Sequence, residues 1–384
     1  LKLPFDRDRL EQRMQADGVD LILATSPHNV SYMLGGYRSH FFSEMTAIGL
    51  SRHAAAVGFP CGRSERAFYI GGPVEAAQQE LEPLWVGEAV NAVWTTHRLG
   101  VAAADLIRSL GLDRATIGLE LPFLAADTYL ALVESLPQAK IVDAVPILEH
   151  LRAVKLPHEL SLMSEAADAI VDAMLATLQK ARPGISTRDL AAHLAAEETQ
   201  RGLRFDYCLA AVGPGVNRTP SEVRWGKGQA LSLDSGGSKF GYIGDLARMA
   251  VVGSPSRLQD ELLKEVESIQ AAARVPIRAG ALGKEIYSSA VAARASCRHG
   301  SSIEFVAHGM GLVSHEAPRL TSTGPVPYPA DHADLPLESG MVLSIETTAI
   351  DAEVGMVKLE DTVAVSVSGW VGYGDRAQGW QIVS

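Results

Sequence analysis

Cysteine is scarce in this 384-residue chain: Cys61, Cys208 and Cys297, with no CxxC spacing. So odd and scattered a set excludes a disulfide framework and a thiolate zinc site, and it points to a reducing compartment. Any metal must then be held by Asp, Glu and His. Long apolar runs are missing too. No stretch reaches the ~18 residues that would suggest a membrane span, and the opening LKLPFDRDRL is charged, densely from residue 6, with no apolar signal core. A cytoplasmic protein without a membrane partner is expected. Positive charge is in deficit, 34 Lys and Arg against 45 Asp and Glu for a net −11, which argues against a nucleic-acid partner. Glycine (35) and proline (19) fall short of a low-complexity level, and 47% hydrophobic with 21% charged residues is the balance of a folded globular chain. The length suggests two or three domains.

The first part alternates short apolar strands (19–24, 54–58, 67–70, 116–119, 140–142) with helical patterns, which predicts an α/β domain. Near 145–157 the chain runs VPILEHLRAVKLPHELSLM, with Pro157 just inside the start of a long helix. The boundary is set there, giving domains 1–152 and 153–384. The second region predicts helices to about 181 and over 187–201, then strands 231–234 and 244–252. The order recurs, with helices 258–273 and 284–294, then strands 304–309, 341–348 and 357–365. Residues 184–190 correspond loosely to 280–286, compatible with two α+β halves and one site between them.

The chemistry-bearing residues lie in this second region. Asp234 ends the apolar run LSLD, and Asp245 follows eleven residues later; glycines 236, 237, 241 and 244 are read as a tight reversal between them. If the strands pair, the carboxylates sit together, and either one stays protonated or a cation lies between them. His308 falls in FVAHGMGLVSHEAP, with His315 seven residues on. Glu346 interrupts MVLSIETT and Glu360 interrupts MVKLEDTVAVS. Glutamate inside a buried strand is rare unless paired or ligating. Together these five form a hard O/N donor set, suited to two divalent cations.

In this order and context, the five residues and the strings HGMGLVSHEAP, IETT and KLEDTVAVS resemble the pita-bread metallopeptidases, peptidase family M24. The two-domain length points to the creatinase, prolidase and aminopeptidase P arm, with Asn29–Gly36 (NVSYMLGG) in its N-terminal domain. The resemblance implies an α/β creatinase-type domain, then an α+β pita-bread domain with internal pseudo-twofold symmetry. It implies a dinuclear centre, manganese first, cobalt or zinc as alternatives. Asp234 would bind one ion, Asp245 and Glu360 would bridge, and His308 and Glu346 would hold the other. Glu346 would also move the proton of an activated water, and His315 would stabilise the developing oxyanion. Lys358 stands where many relatives have arginine and would hold a carboxylate as a point charge. The implied partner is a second copy of the chain. Tyr37, Arg38, His40 and Phe41 would line a wall of the pocket.

The implied activity is metal-dependent hydrolysis of a small amide, with an Xaa-Pro dipeptide as first choice. One departure opens an alternative. Peptidase relatives carry a histidine upstream of the first aspartate, and GPGVNRTPSEVRW has none. Arg218 and Arg224 in that stretch would meet a substrate carboxylate instead. A non-peptide hydrolase or lyase acting on a creatine-like amidine, an ectoine-type cyclic solute or a sulfonium compound is the second reading. A non-catalytic interaction protein is a third, against which the intact ligand set argues.

Overall fold

The computed structural model describes residues 3–40, 45, 47–323 and 328–384; Phe41 lies outside them. The chain forms two compact units, one ending at Leu151 and one beginning at Arg152. No helix among the described residues is long and apolar enough to cross a membrane.

In the first unit β1 (Leu21–Ala24), β4 (Ala56–Pro60), β5 (Phe68–Gly71), β6 (Glu88–Asn91), β7 (Thr116–Leu119) and β8 (Lys140–Asp143) form one mixed sheet in the order β6-β5-β4-β1-β7-β8. A separate hairpin pairs β2 (Ala47–Ile48) with β3 (Ser51–Arg52). Strands β1, β4 and β5 are buried throughout, so their runs are apolar without alternation. The Asn29 segment has a structural reason here. The buried Glu120 carboxylate accepts from the Ser26 amide at 2.8 Å, from the Ser26 hydroxyl at 2.6 Å and from the Asn29 side-chain amide. These bonds anchor the start of helix Pro27–Met33, and Gly35 and Gly36, both at positive φ, follow its end.

The second unit is built from two blocks of identical order. Helices Pro157–Lys180 and Thr187–Gln200 precede β9 (Arg204–Val212), β10 (Ala230–Lys239) and β11 (Tyr242–Val252). Helices Arg257–Arg274 and Lys284–Ser296 precede β12 (Ile303–Gly309), β13 (Val342–Asp351) and β14 (Gly355–Val365). Each block folds its strands as an antiparallel meander, and the two join edge to edge as β12-β13-β14-β11-β10-β9. Ala247 opposite Glu360 is the registered pair across the join. Two short strands, β15 (Trp370–Tyr373) beside β14 and β16 (Gln381–Val383) beside β11, complete the sheet.

Alternation along these strands separates two faces. Leu231, Leu233 and Leu246 pack with Ile170 and Met174 of one long helix, and Leu343, Ile345 and Leu359 pack with Leu262, Val266 and Ile269 of the other. Each such side chain stabilises the fold by roughly 1.5–3 kcal/mol. The intervening residues Asp234, Asp245, Glu346 and Glu360 must point to the opposite face.

Two expectations change. Asp234 does not end its strand: β10 continues five residues further, to a two-residue turn at Phe240 (φ 50°) and Gly241 (φ 87°). Gly236 and Gly237 lie inside the strand for close approach, not reversal. A Cβ on Gly236 would fall 2.2 Å from the Tyr207 ring, and one on Gly237 2.5 Å from a Glu198 oxygen. Strand β9 is also absent from the sequence reading. It is the sheet's edge, where Arg204, Asp206 and Tyr207 interrupt the apolar pattern.

Glu198 lies fully buried beneath Gly237 and accepts one bond, from Ser235 Oγ at 2.8 Å. Burial raises its carboxyl to about 8 from an ordinary 4.5. Between those values the folded chain holds a proton that the unfolded chain has lost. The stability it contributes is therefore complete below pH 4.5 and is lost as pH rises through 8. Against Glu198→Gln, wild-type stability by urea unfolding should fall between pH 5 and 8, with a slope of up to roughly 1.4 kcal/mol per pH unit. Parallel curves for the two proteins would contradict this assignment.

Candidate metal centre

The registers of the sheet bring the acidic residues together. One row reads across the strands from Asp234 to Ala247, Glu360, Glu346 and Val306. The adjacent row holds Tyr207, Gly236 and Asp245 on one side of the join, and Thr362, Ser344 and His308 on the other. Residues facing each other in a sheet share a face, and alternate residues of a strand return to it. Four carboxylates and a histidine thus converge from five strands, although they span more than 120 positions of sequence.

Asp245, His308 and Glu360 each offer a ligand atom, and these atoms lie within 4.8 Å of one another. All three residues are buried. The Nδ1 atom of His308 lies 3.2 Å from the Gly309 carbonyl. A carbonyl only accepts, so Nδ1 carries a proton and Nε2 is the nitrogen turned to the cluster. That buried Nε2 has no hydrogen-bond partner, nor has Asp234 Oδ1. It stands 3.8 Å from both Glu346 Oε1 and Glu360 Oε1. An orphaned imidazole nitrogen aimed among carboxylates is the donor arrangement a divalent cation satisfies. The residues present fit one ion well.

The other two expected ligands are engaged differently. The Lys358 ammonium sits 2.7 Å from Asp234 Oδ2, 2.7 Å from Glu346 Oε2 and 2.7 Å from Glu360 Oε2. Arg218 adds a guanidinium contact to Asp234 Oδ2. The Tyr207 hydroxyl crosses the space left by Gly236 to donate to Asp245 Oδ1, and Ser344 Oγ donates to Glu360 Oε1 at 2.7 Å.

The electrostatics follow from that arrangement. Burial and the neighbouring Glu360 raise the Asp245 carboxyl well above its ordinary value, and burial raises Asp234 and Glu346 as well. Burial would raise Glu360 too, but Lys358 and the nearby His308 imidazole overcome it and hold Glu360 low. Burial alone would lower His308; the Glu360 and Glu346 carboxylates facing it instead lift it to about 9, so a cation binding there would displace the Nε2 proton. His315 stacks on His308 with centroids 3.7 Å apart and planes 13° from parallel. Burial and the His308 charge lower it to about 4, so it is neutral at neutral pH.

The segment carrying His315 is fixed by a cluster that sequence reasoning passed over. Glu316, almost wholly buried, accepts from Arg152 Nε at 3.1 Å and Lys155 Nζ at 3.0 Å. Its amide donates to the Gly309 carbonyl at 3.0 Å, and the Gly309 amide donates back to Pro318 at 3.1 Å. The available signal was a charged residue directly after His315, together with two cations in the otherwise apolar linker. Tyr207 was missed because β9 was missed.

Within the second unit the two expected arginines part company. Arg224 is exposed and donates to the Gly184 carbonyl at 2.8 Å, so it is not brought to the cluster. Arg218 reaches the centre, but onto a ligand carboxylate. Tyr37 and His40 belong to the first unit. The buried Tyr37 hydroxyl bonds Glu75 at 3.0 Å, and the backbone amide of His40 donates to Gln78 at 3.0 Å.

Residues 161–366 match the family described as Metallopeptidase family M24, and residues 7–154 the Creatinase/Prolidase N-terminal domain. The chain is 24% identical over 371 residues to an Xaa-Pro dipeptidase of Lactobacillus helveticus, covering 94% of this chain and 95% of that protein. It is 26% identical over 360 residues to the uncharacterized peptidase YqhT of Bacillus subtilis, covering 92% of each. Among solved structures, an Xaa-Pro dipeptidase from Bacillus anthracis superposes with a TM-score of 0.81 at 24% identity, over 98% of this chain and 99% of that one. An X-Pro aminopeptidase from Thermotoga maritima gives 0.80 at 19% identity with the same coverage. At such identities the superpositions establish a shared fold.

Proposed function

This chain belongs to metallopeptidase family M24, and on that premise we propose that it hydrolyses Xaa-Pro dipeptides or closely similar small amides with a bound divalent cation. The observation that carries the reading is the convergence of buried Asp245, His308 and Glu360 within reach of one ion. The mixed carboxylate and imidazole donors suit manganese first, with cobalt or zinc as alternatives. The five-residue set with Asp234 and Glu346 would accommodate a pair of ions, on condition that Lys358 withdraws from both carboxylates.

A cation bound there supplies Lewis-acid polarisation of water and of the scissile carbonyl. The remaining work falls to the chain's own groups. Glu346, its carboxyl raised by burial and Glu360, is suited to take a proton and return it to the leaving amine. Neutral His315 offers a ring N–H to the developing oxyanion without adding charge to the cluster. Residues 153–384 would carry this chemistry, and residues 1–152 would serve a cytoplasmic homodimer. That location accords with three free cysteines.

A specific observation favours a second reading. Arg218 bonds Asp234 in the stretch where peptidase relatives carry a histidine, which leaves a non-peptide hydrolase or lyase as the alternative. Both are tested by one screen of metal-stripped and Mn²⁺-reconstituted protein. The panel is Xaa-Pro dipeptides, longer Xaa-Pro peptides, a creatine-like amidine and ectoine. Proline release that depends on added Mn²⁺ is expected. Absence of bound metal together with no rescue by Mn²⁺ would end the hydrolase reading, while turnover of the amidine or ectoine alone would transfer it to the alternative.

A further inference from the structure

We infer that Lys358 is itself the second cation of this centre, so that the cluster takes one divalent ion, at Asp245, His308 and Glu360, and not two. The inference rests on the metal-dependent reading above and narrows it. An ammonium has three N–H donors. All three find carboxylate oxygens at 2.7 Å, on Asp234, Glu346 and Glu360. Asp234 and Glu346 are the two expected ligands that fall outside the one-ion group, and Lys358 is what holds them.

Charge gives an independent argument. Four buried or half-buried carboxylates face two fixed cations here, Lys358 and Arg218. Around a bound ion, with His308 neutral and all four carboxylates ionised, one divalent ion completes neutrality, whereas two would leave the enclosed cluster with a surplus of positive charge. Buried charge is tolerated where it is matched. A second divalent ion among Asp234, Glu346 and Glu360 would also lie against the ammonium at contact distance.

Geometry gives a third. Lys358 lies on the strand of Glu360, two residues before it, and opposite Thr348, itself two residues after Glu346. Its side chain therefore shares the site face and reaches along it into the cluster. It is 4% exposed, so a retreat to water is not open to it. A lysine concentrates its charge at a point, as a metal ion does, where an arginine would spread it over a planar fork.

The test is a titration of the metal-stripped full-length protein with Mn²⁺, read by calorimetry and by elemental analysis after dialysis. Wild type should saturate at one ion per chain, and Lys358→Met should take two. Electron paramagnetic resonance of the loaded wild type should give the six-line signal of an isolated Mn²⁺, a readout that needs no variant. Lys358→Gln serves in its place if Lys358→Met does not fold, judged by circular dichroism. Two ions in wild type with a spin-coupled spectrum would overturn the inference and leave the metal-dependent reading standing. One ion in both wild type and the folded variant would overturn the role of Lys358. No binding by wild type would overturn the metal-dependent reading and this inference with it.

Discussion

Glu360→Ala is expected to lose bound metal and to lower kcat/KM on a responsive substrate by roughly 10³-fold or more. Glu360 belongs to the one-ion group, accepts from Ser344 and pairs with Lys358. Its position next to the join lets it meet Asp245 from one block and His308 from the other. Its replacement removes the carboxyl that the cluster holds most firmly ionised before an ion binds, because burial leaves Asp234, Asp245 and Glu346 raised. The fold should survive, since the neighbouring strand residues point into the helix layer and keep their contacts. Elemental analysis, circular dichroism and steady-state kinetics on one preparation check the prediction. A variant that retains its metal and works within tenfold of wild type would remove Glu360 from the centre.

The second large effect lies next to Ala247, the strand partner of Glu360, on the other face. Arg248 is fully buried and donates to the carbonyls of Ala247 and Glu360 at 2.8 Å, and to those of Gly374 and Arg376 at 2.7 Å. It also pairs with Asp361 at 2.7 Å. Arg248→Met keeps much of the volume but removes every one of these donors. The expected loss is about 3–5 kcal/mol, the range for breaking a buried pair from one side, measured as a drop in urea midpoint at unchanged slope. Asp361 would keep Arg274 and the Gln270 side chain, so the lower half of that range is favoured. A loss under about 1 kcal/mol would mean that water enters and replaces the guanidinium.

These two residues show what was legible in the sequence and what was not. Glu346 and Glu360 stood out because a carboxylate inside an apolar strand is costly without a partner. The same logic found Asp234, Asp245 and His308, and the helices around them announced themselves by period and by Pro157. Partner choice was not legible, because it is decided by register between strands far apart in sequence. Nothing in MVKLED says that Lys358 will reach Asp234, 124 positions away. Nothing in the glycines at 236 and 237 says that they admit Tyr207 and Glu198. Arg218 and Arg224, six residues apart in one loop, looked equivalent, yet only Arg218 meets the cluster. Strand β9 escaped notice because an edge strand tolerates polar residues that an interior strand would not.

The join between β11 and β14 carries one further meaning. The first block brings Asp245, the second brings His308 and Glu360, and neither block alone owns a complete set of donors. An ion seated among them is therefore a clasp across the two blocks of the sheet. Binding only the native state, it would add roughly 2.7 kcal/mol at a hundred times its dissociation constant, concentrated where the sheet has a single registered pair. The supply of metal would then govern how long the molecule persists as well as how fast it works, and a starved cell would lose the protein and its activity together.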